Sequence, residues 1–208
     1  MVPERAADPG AGERPRGRLL VVTGPSGAGK GTLIRRLLAR RPDLEVAVSA
    51  TTRERRGGEI DGRDYHFLSD EEFDERVERG EFLEWVPYVS GHRYGTLNSE
   101  LERIVGSGKT CVLELETEGA KRVKELRPET VTVFVAPPSF DELERRLRER
   151  ATESTGEIDE RLALARAQAE EQDDFDHVVV NDDVERAAAE LDALLRPAVP
   201  AGSERTSG

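Results

Sequence analysis

The sequence predicts an α/β fold built on a parallel sheet. Two observations carry that prediction. The segments "RLLVVT" (18–23), "TCVLEL" (110–115), "VTVFVA" (131–136) and "HVVV" (177–180) are continuously apolar rather than alternating, as strands buried on both faces are. Stretches of helical periodicity lie between them, and such alternation closes by right-handed crossovers. A third observation marks an exception. Residues 50–96, rich in glycine, aromatics and charge, break the rhythm and read as an inserted subdomain.

The elements follow in order. Residues 1–16, dense in Pro, Gly and charge, read as a disordered tail. A structured domain is expected over 17–197, with core segments 17–49, 97–140 and 170–197. After "RLLVVT" a helix is expected over about 30–40. "VAVSA" (46–50) is a weaker strand candidate. Ser69 followed by Glu72 has the capping-box spacing, which starts a helix over about 70–79. Further helices are expected over about 98–106, 119–125, 139–150, 157–172 and 183–195. Pro137–Pro138 separates a strand from the helix after it, and Ser139 with Glu142 repeats the capping spacing. Segment 141–169 is a helical lid candidate, and 198–208 is a second disordered tail.

The totals exclude several functions. The 208 residues carry a formal net charge of -12, which argues against general nucleic-acid binding and against docking on anionic lipid. No apolar run approaches the roughly 20 residues that span a bilayer. "MVPERAADPGAGERPRG" has no apolar signal core, so a cytosolic protein is expected. Cys111 is the sole cysteine, which forbids an internal disulfide and reads as a small buried apolar residue. His66, His92 and His177 lack metal-ligand spacing, so no protein-bound zinc is expected.

"GPSGAGKGT" (24–32) follows the first strand and opens a helix. Gly24, Gly29 and Lys30 match GxxxxGK, the P-loop spacing. Glycines let backbone N–H groups converge on phosphate oxygens, and the helix N-terminus adds its positive end. The residues expected around a nucleoside triphosphate are Gly24, Pro25, Ser26, Gly27, Ala28, Gly29, Lys30, Gly31 and Thr32. Of 31 basic residues only four are lysines, so a lysine at 30 suggests a need for a compact ammonium. The pattern usually has Ser or Thr where Gly31 stands, so Thr32 is the candidate to help hold Mg²⁺. A P-loop alone leaves GTPases, motor ATPases and small-molecule kinases open.

"SATTRERRGGEIDGRDYHFLS" packs Arg53, Arg55, Arg56 and Arg63 into one loop. Together with the P-loop, "GEFLEW", "YGT", "APPS", "RLRER" and "VVVNDD", in that order from about residue 18 to 195, it resembles the guanylate kinase family. The resemblance implies a P-loop NTPase-type core, a GMP-binding subdomain over 50–96 and a lid over 141–169. It implies ATP-dependent phosphorylation of GMP, and of dGMP, to the diphosphate, with Mg²⁺ as cofactor and ATP and GMP as small-molecule partners.

Residue by residue, the resemblance puts Arg53, Arg56, Tyr65 and Tyr94 on the acceptor phosphate. Guanidinium forks suit that role. It puts Glu84 on the guanine edge, where a carboxylate accepts from N1–H and the 2-amino group together. Ser49 and Thr96 match hydroxyl contacts to the base. Glu116 sits where a shorter acid helps hold guanine. Glu114 could reach a magnesium-bound water, and Glu118 stands in place of a neutral amide. Lys30, Arg146, Arg150 and Arg161 match residues on the donor phosphates and the transferring group, and Asn181 one near the adenine. Arg55, Arg63, Arg145, Arg148 and Arg166 read as solvated charges. Two other classes stay open: a non-catalytic binding module of the same family, which would need neither "GAGKGT" nor lid arginines, and a kinase acting on a phosphorylated sugar, which would not need Glu84.

Overall fold

The computed structural model describes residues 19–88, 91–150 and 155–195. The tails expected at 1–16 and 198–208 lie outside them. The chain runs β1 (Leu19–Thr23), α1 (Lys30–Arg40), β2 (Leu44–Val46), β3 (Ala50–Thr51), β4 (His66–Phe67), α2 (Asp70–Glu78), β5 (Phe82–Pro87), β6 (Arg93–Leu97) and α3 (Asn98–Gly106). It continues β7 (Thr110–Glu114), α4 (Thr117–Leu126), β8 (Val131–Ala136), α5 (Phe140–Arg150), α6 (Thr155–Glu170), a 3₁₀ turn (Gln172–Asp174), β9 (His177–Val180) and α7 (Val184–Leu194). The seven expected helices are all present.

Five strands pair in the order β2-β7-β1-β8-β9, all parallel. β1 is central, with Leu20 opposite Val112 on one side and Val131 on the other. Successive side chains of a strand point to opposite faces. Leu20 and Val22 therefore pack with Leu37 of α1 and Leu191 of α7, while Leu19 and Val21 pack with Ile104 of α3 and Val123 of α4. Both faces are covered, which explains the continuous apolarity. Cys111 is fully buried, and burial pushes its thiol up to about 12.

The weak candidate at 46–50 is not one strand. Val46 ends β2, the Val48 N–H donates to Glu100 Oε2 at 3.0 Å, and Ala50 begins β3 in another sheet. One apolar run therefore serves two sheets, and a carboxylate from α3 fixes the crossing. The second sheet has the order β4-β3-β6-β5. β6 pairs antiparallel with both β3 and β5, while β3 and β4 are parallel. Phe73 of α2 is fully buried against it, stacked on Phe82 with ring centroids 4.4 Å apart and edge-on to Trp85 at 6.1 Å. Regular alternation would put residues 82 and 85 on opposite faces. A register shift between Phe82 and Glu84 brings both toward α2, as a bulge does.

The capping box at α2 is complete. Ser69 Oγ accepts from the Glu72 N–H at 3.1 Å, and Glu72 Oε2 accepts from the Ser69 N–H at 2.8 Å. At α5, Ser139 Oγ accepts from the Glu142 N–H at 3.2 Å, and the Glu142 carboxylate accepts from Arg145 and Arg146. Leu143 and Leu147 of α5 meet Leu162 and Ala165 of α6 in a small third core. Among the described residues, no helix is long and apolar enough to cross a membrane.

The seam between α1, α7 and the sheet holds Leu191 with no exposure. Leu191→Ala is expected to lower unfolding stability by about 2–5 kcal/mol, read by chemical denaturation.

Candidate active site

A cleft of about 580 Å³ opens where the first loop and the end of β7 face the small sheet. It lies outside the carboxyl ends of parallel strands, the usual ligand position in such sheets. It is lined by Ser26 to Thr32 of the loop, apart from Ala28; by Arg35 of α1, Val46 and Ala47; by Glu114 to Glu116; and by a set from the small sheet and its loop that includes Ser49, Arg53, Arg56, Tyr65, Glu84 and Tyr94.

The loop is held from beneath. Gly24 and Gly29 have φ of 133° and 94°, which glycine adopts without strain. A side chain at 24 would come 2.3 Å from the Val135 carbonyl, and one at 29 would come 2.3 Å from Asn181 Nδ2. Asn181 is 3 % exposed and its amide donates to the Ala28 carbonyl at 2.7 Å. Asn181 thereby braces the loop from beneath. Lys30 Nζ donates to the Gly24 carbonyl at 2.6 Å and the Pro25 carbonyl at 3.3 Å. α1 begins at Lys30 with no side-chain cap and no acid in its first turn, so its positive end faces the cleft, where the Glu114 carboxylate of β7 stands near Gly31.

Opposite stands the arginine loop. Arg53 forks onto Glu59, with contacts of 2.8 and 3.1 Å, and its guanidinium lies 5.3 Å from the centre of the Tyr65 ring. Glu59 Oε2 also accepts from the Arg56 N–H at 2.8 Å. Glu59 thus ties the Arg53 guanidinium to the backbone at Arg56, and its hydrogen bond holds Arg53 firmly in the charged state. Sequence reasoning missed this residue. The available signal was an acid at fixed spacing inside the arginine motif. Tyr65 and Tyr94 meet edge-on at 6.0 Å, and burial raises the Tyr65 pKa, so its hydroxyl remains a donor. Arg63 pairs with its neighbour Asp64 at 2.9 Å, and Arg55 is exposed.

Glu84 is 3 % exposed. Its partner on β6 is Thr96, whose Oγ1 donates to Glu84 Oε1 at 2.8 Å. Desolvation pushes the carboxyl up to about 7, against the pull of the Thr96 hydrogen bonds. Gly119 of α4 makes room for it, since a methyl there would stand 2.9 Å from Glu84 Oε2. Glu116 accepts from Gln168 of α6. Ser49 lines the cleft, and its carbonyl accepts from the His66 N–H at 2.9 Å.

Oxygen donors for a hard cation are few. Glu114 ends β7 and opens onto the cleft, where desolvation raises its pKa against the pull of Lys30. A side chain at 31 would first meet Glu114 Oε2, at 3.4 Å, and Gly31 leaves that approach clear. The Thr32 hydroxyl accepts from Arg35 at 3.0 Å and keeps a lone pair. Among the described residues, no group of three or more His, Cys, Asp or Glu could hold a metal. One carboxylate and one hydroxyl suit Mg²⁺ that arrives with phosphate oxygens rather than Mg²⁺ in a protein cage.

Arg146 donates to Glu142 at 2.8 Å and to the Asn181 carbonyl at 3.3 Å, beside the loop. The side chains of Arg150 and Arg161 lie outside the described residues. Arg145 and Arg148 pair along α5 with Glu142, Glu149 and Glu144, and Arg166 caps the Phe140 ring at 4.2 Å. The arrangement offers two adjoining anion seats, with a buried carboxylate beyond the second.

The chain matches the guanylate kinase family model over residues 16–198. It is 50% identical to a guanylate kinase of Rubrobacter xylanophilus over 187 residues, 90% of this chain and 97% of that one. It is 47% identical to one of Prochlorococcus marinus, over 86% of this chain and 94% of that one. The crystal structure of guanylate kinase from Anaplasma phagocytophilum superimposes with a TM-score of 0.70 at 33% identity, covering 86% of this chain and 85% of that one.

The raised Glu84 pKa has a definite sign in stability. A carboxyl near 7 when folded, against an ordinary 4.5, costs stability once ionised and nothing when protonated. Glu84→Gln removes that cost. The variant is expected to be the more stable above about pH 7, by on the order of 3 kcal/mol, and to match the parent below about pH 4.5. Denaturation of the unliganded protein at the two pH values reads the difference.

Proposed function

The chain belongs to the guanylate kinase family, and we infer that it transfers the terminal phosphoryl group of ATP to GMP, giving ADP and GDP. The observation that carries this reading is the single cleft that joins a P-loop to a paired-arginine cradle and a buried carboxylate. A non-catalytic binding module would have no use for the first, and a sugar-phosphate kinase none for the last.

In this reading Arg53 and Arg56 grip the GMP phosphate, and Tyr65 and Tyr94 add hydroxyl donors. Glu84 accepts from guanine N1–H and the 2-amino group, supported by Ser49, Thr96 and Glu116. Adenine has no donor at N1, so it would leave a buried carboxylate facing a lone pair, a mismatch on the order of 10⁴ in a site built for donors. The carboxylate form is the one that binds guanine, so GMP draws the Glu84 proton off. dGMP fits the same contacts, because none involves the 2′-hydroxyl.

Residues 24–32 cradle the donor phosphates through backbone amides and the α1 terminus. Lys30, now on its own loop carbonyls, swings to the β- and γ-phosphate oxygens. Arg146, Arg150 and Arg161 supply cations over the transferring group from segment 141–169, which serves as the lid, as 50–96 serves as the GMP-binding unit. The attacking phosphate oxygen is already ionised, so no general base is required. Catalysis is positioning and charge stabilisation in a site closed to water. Thr32 and Glu114 would help the nucleotide hold Mg²⁺, which would supply charge neutralisation at the donor oxygens. A cytoplasmic role in purine nucleotide metabolism fits a chain whose only thiol is buried and needs no oxidising compartment.

A coupled assay of ADP release across GMP, dGMP, AMP, CMP, UMP and sugar phosphates tests the reading, and no activity with GMP would overturn it. Lys30→Ala is expected to cut kcat by at least about a hundredfold with the thermal unfolding transition retained. Glu84→Gln is expected to lower the GMP-to-AMP ratio of kcat/KM by about ten- to a hundredfold. An unmoved ratio would mean the base is read elsewhere.

A further inference from the structure

Glu116 occupies an odd position. It is the N-cap residue of α4, yet its side chain makes no capping hydrogen bond to that helix. It lines the cleft instead. Gln168 of α6 donates from Nε2 to Glu116 Oε2 at 2.6 Å, and Gln168 is 5 % exposed. The same end of α6 is tied to α4. Lys121 pairs with Glu171 at 3.3 Å and with Asp174, in the following turn, at 2.7 Å.

We propose that Gln168 is a positioning residue for base recognition, which holds the Glu116 carboxylate at the purine end of the cleft. This rests on the reading of the cleft as the GMP site. The partner's chemistry suits the task. A neutral amide satisfies one carboxylate oxygen and leaves the negative charge to face the substrate's N–H donors. A lysine or arginine at 168 would neutralise that charge, and an acid would repel it. The amide also removes freedom. A glutamate has one more rotatable bond than the shorter acid expected at 116, and fixing it before the substrate arrives spares that ordering at binding. Gln168 is the device that lets the longer acid serve.

The test compares GMP with inosine monophosphate, which keeps N1–H and O6 and lacks the 2-amino group. Gln168→Met preserves length and burial while removing the donor. The expected result is a KM for GMP raised about three- to thirtyfold, a kcat within about twofold, and a reduced GMP-to-inosine monophosphate ratio. In a Glu116→Ala background the same substitution is expected to change nothing further. Equal losses on both substrates, an unmoved ratio, or a full effect without Glu116 would overturn the proposal. If the Met variant shows no cooperative melt, Gln168→Glu carries the comparison, with the larger loss expected because two carboxylates then oppose each other. The parent is assayed first. Failure to phosphorylate GMP would sink the functional reading and this inference together, whereas a sound parent with unmoved variants would sink only the inference.

Discussion

The close seating of the first loop against the sheet is the constraint from which the rest follows. Its backbone approaches β8 at Gly24 and the Asn181 amide at Gly29, closer than any Cβ permits. Asn181 then binds the Ala28 carbonyl from below. With the loop pinned there, α1 starts at Lys30 with its amide end turned to the cleft, and Glu114 at the tip of β7 faces Gly31. Remove the close approach and neither the ammonium nor the helix end has a fixed place.

The second seat solves a different problem. An isolated pair of arginines on a polar loop would be mobile and mutually repelling. Glu59 answers both by forking onto Arg53 and accepting from the Arg56 backbone. A carboxylate bound by one guanidinium fork and one backbone N–H occupies chemistry similar to that of a phosphate, so Arg53 is ordered before a ligand arrives. This explains how a chain of net charge -12 presents local positive charge. Lys30, Arg35, Arg53 and Arg56 line the cleft among five carboxylates, so the positive charge is a matter of where each guanidinium and ammonium is held and not of a net excess.

Much of the fold was legible in the sequence, because burial on both faces leaves a mark. The four continuous apolar runs became β1, β7, β8 and β9, and the capping spacings found their helices. The insertion was legible as an interruption but its strands were not. β5 carries a bulge and a buried glutamate, and both erase the period-two signal. "VAVSA" misled because its two ends belong to different sheets. At the site, motif residues could be named, since glycine and arginine spacing survives in one dimension. Gly119 and Gln168 could not, for their roles are contacts across the fold, whereas Glu59, six residues from Arg53, was marked by its place inside the arginine motif. Asn181 shows the same limit. Its place at the strand end was readable, but the direction of its amide was not.

The small sheet also contains the chain's one tryptophan. Trp85 follows Glu84 on β5 and meets the Phe73 ring edge-on. Light absorbed by that indole is therefore re-emitted from a single known place, one residue from the carboxylate proposed to read the purine. The protein has its own optical probe of the acceptor side, with no second indole to blur the signal and no dye required.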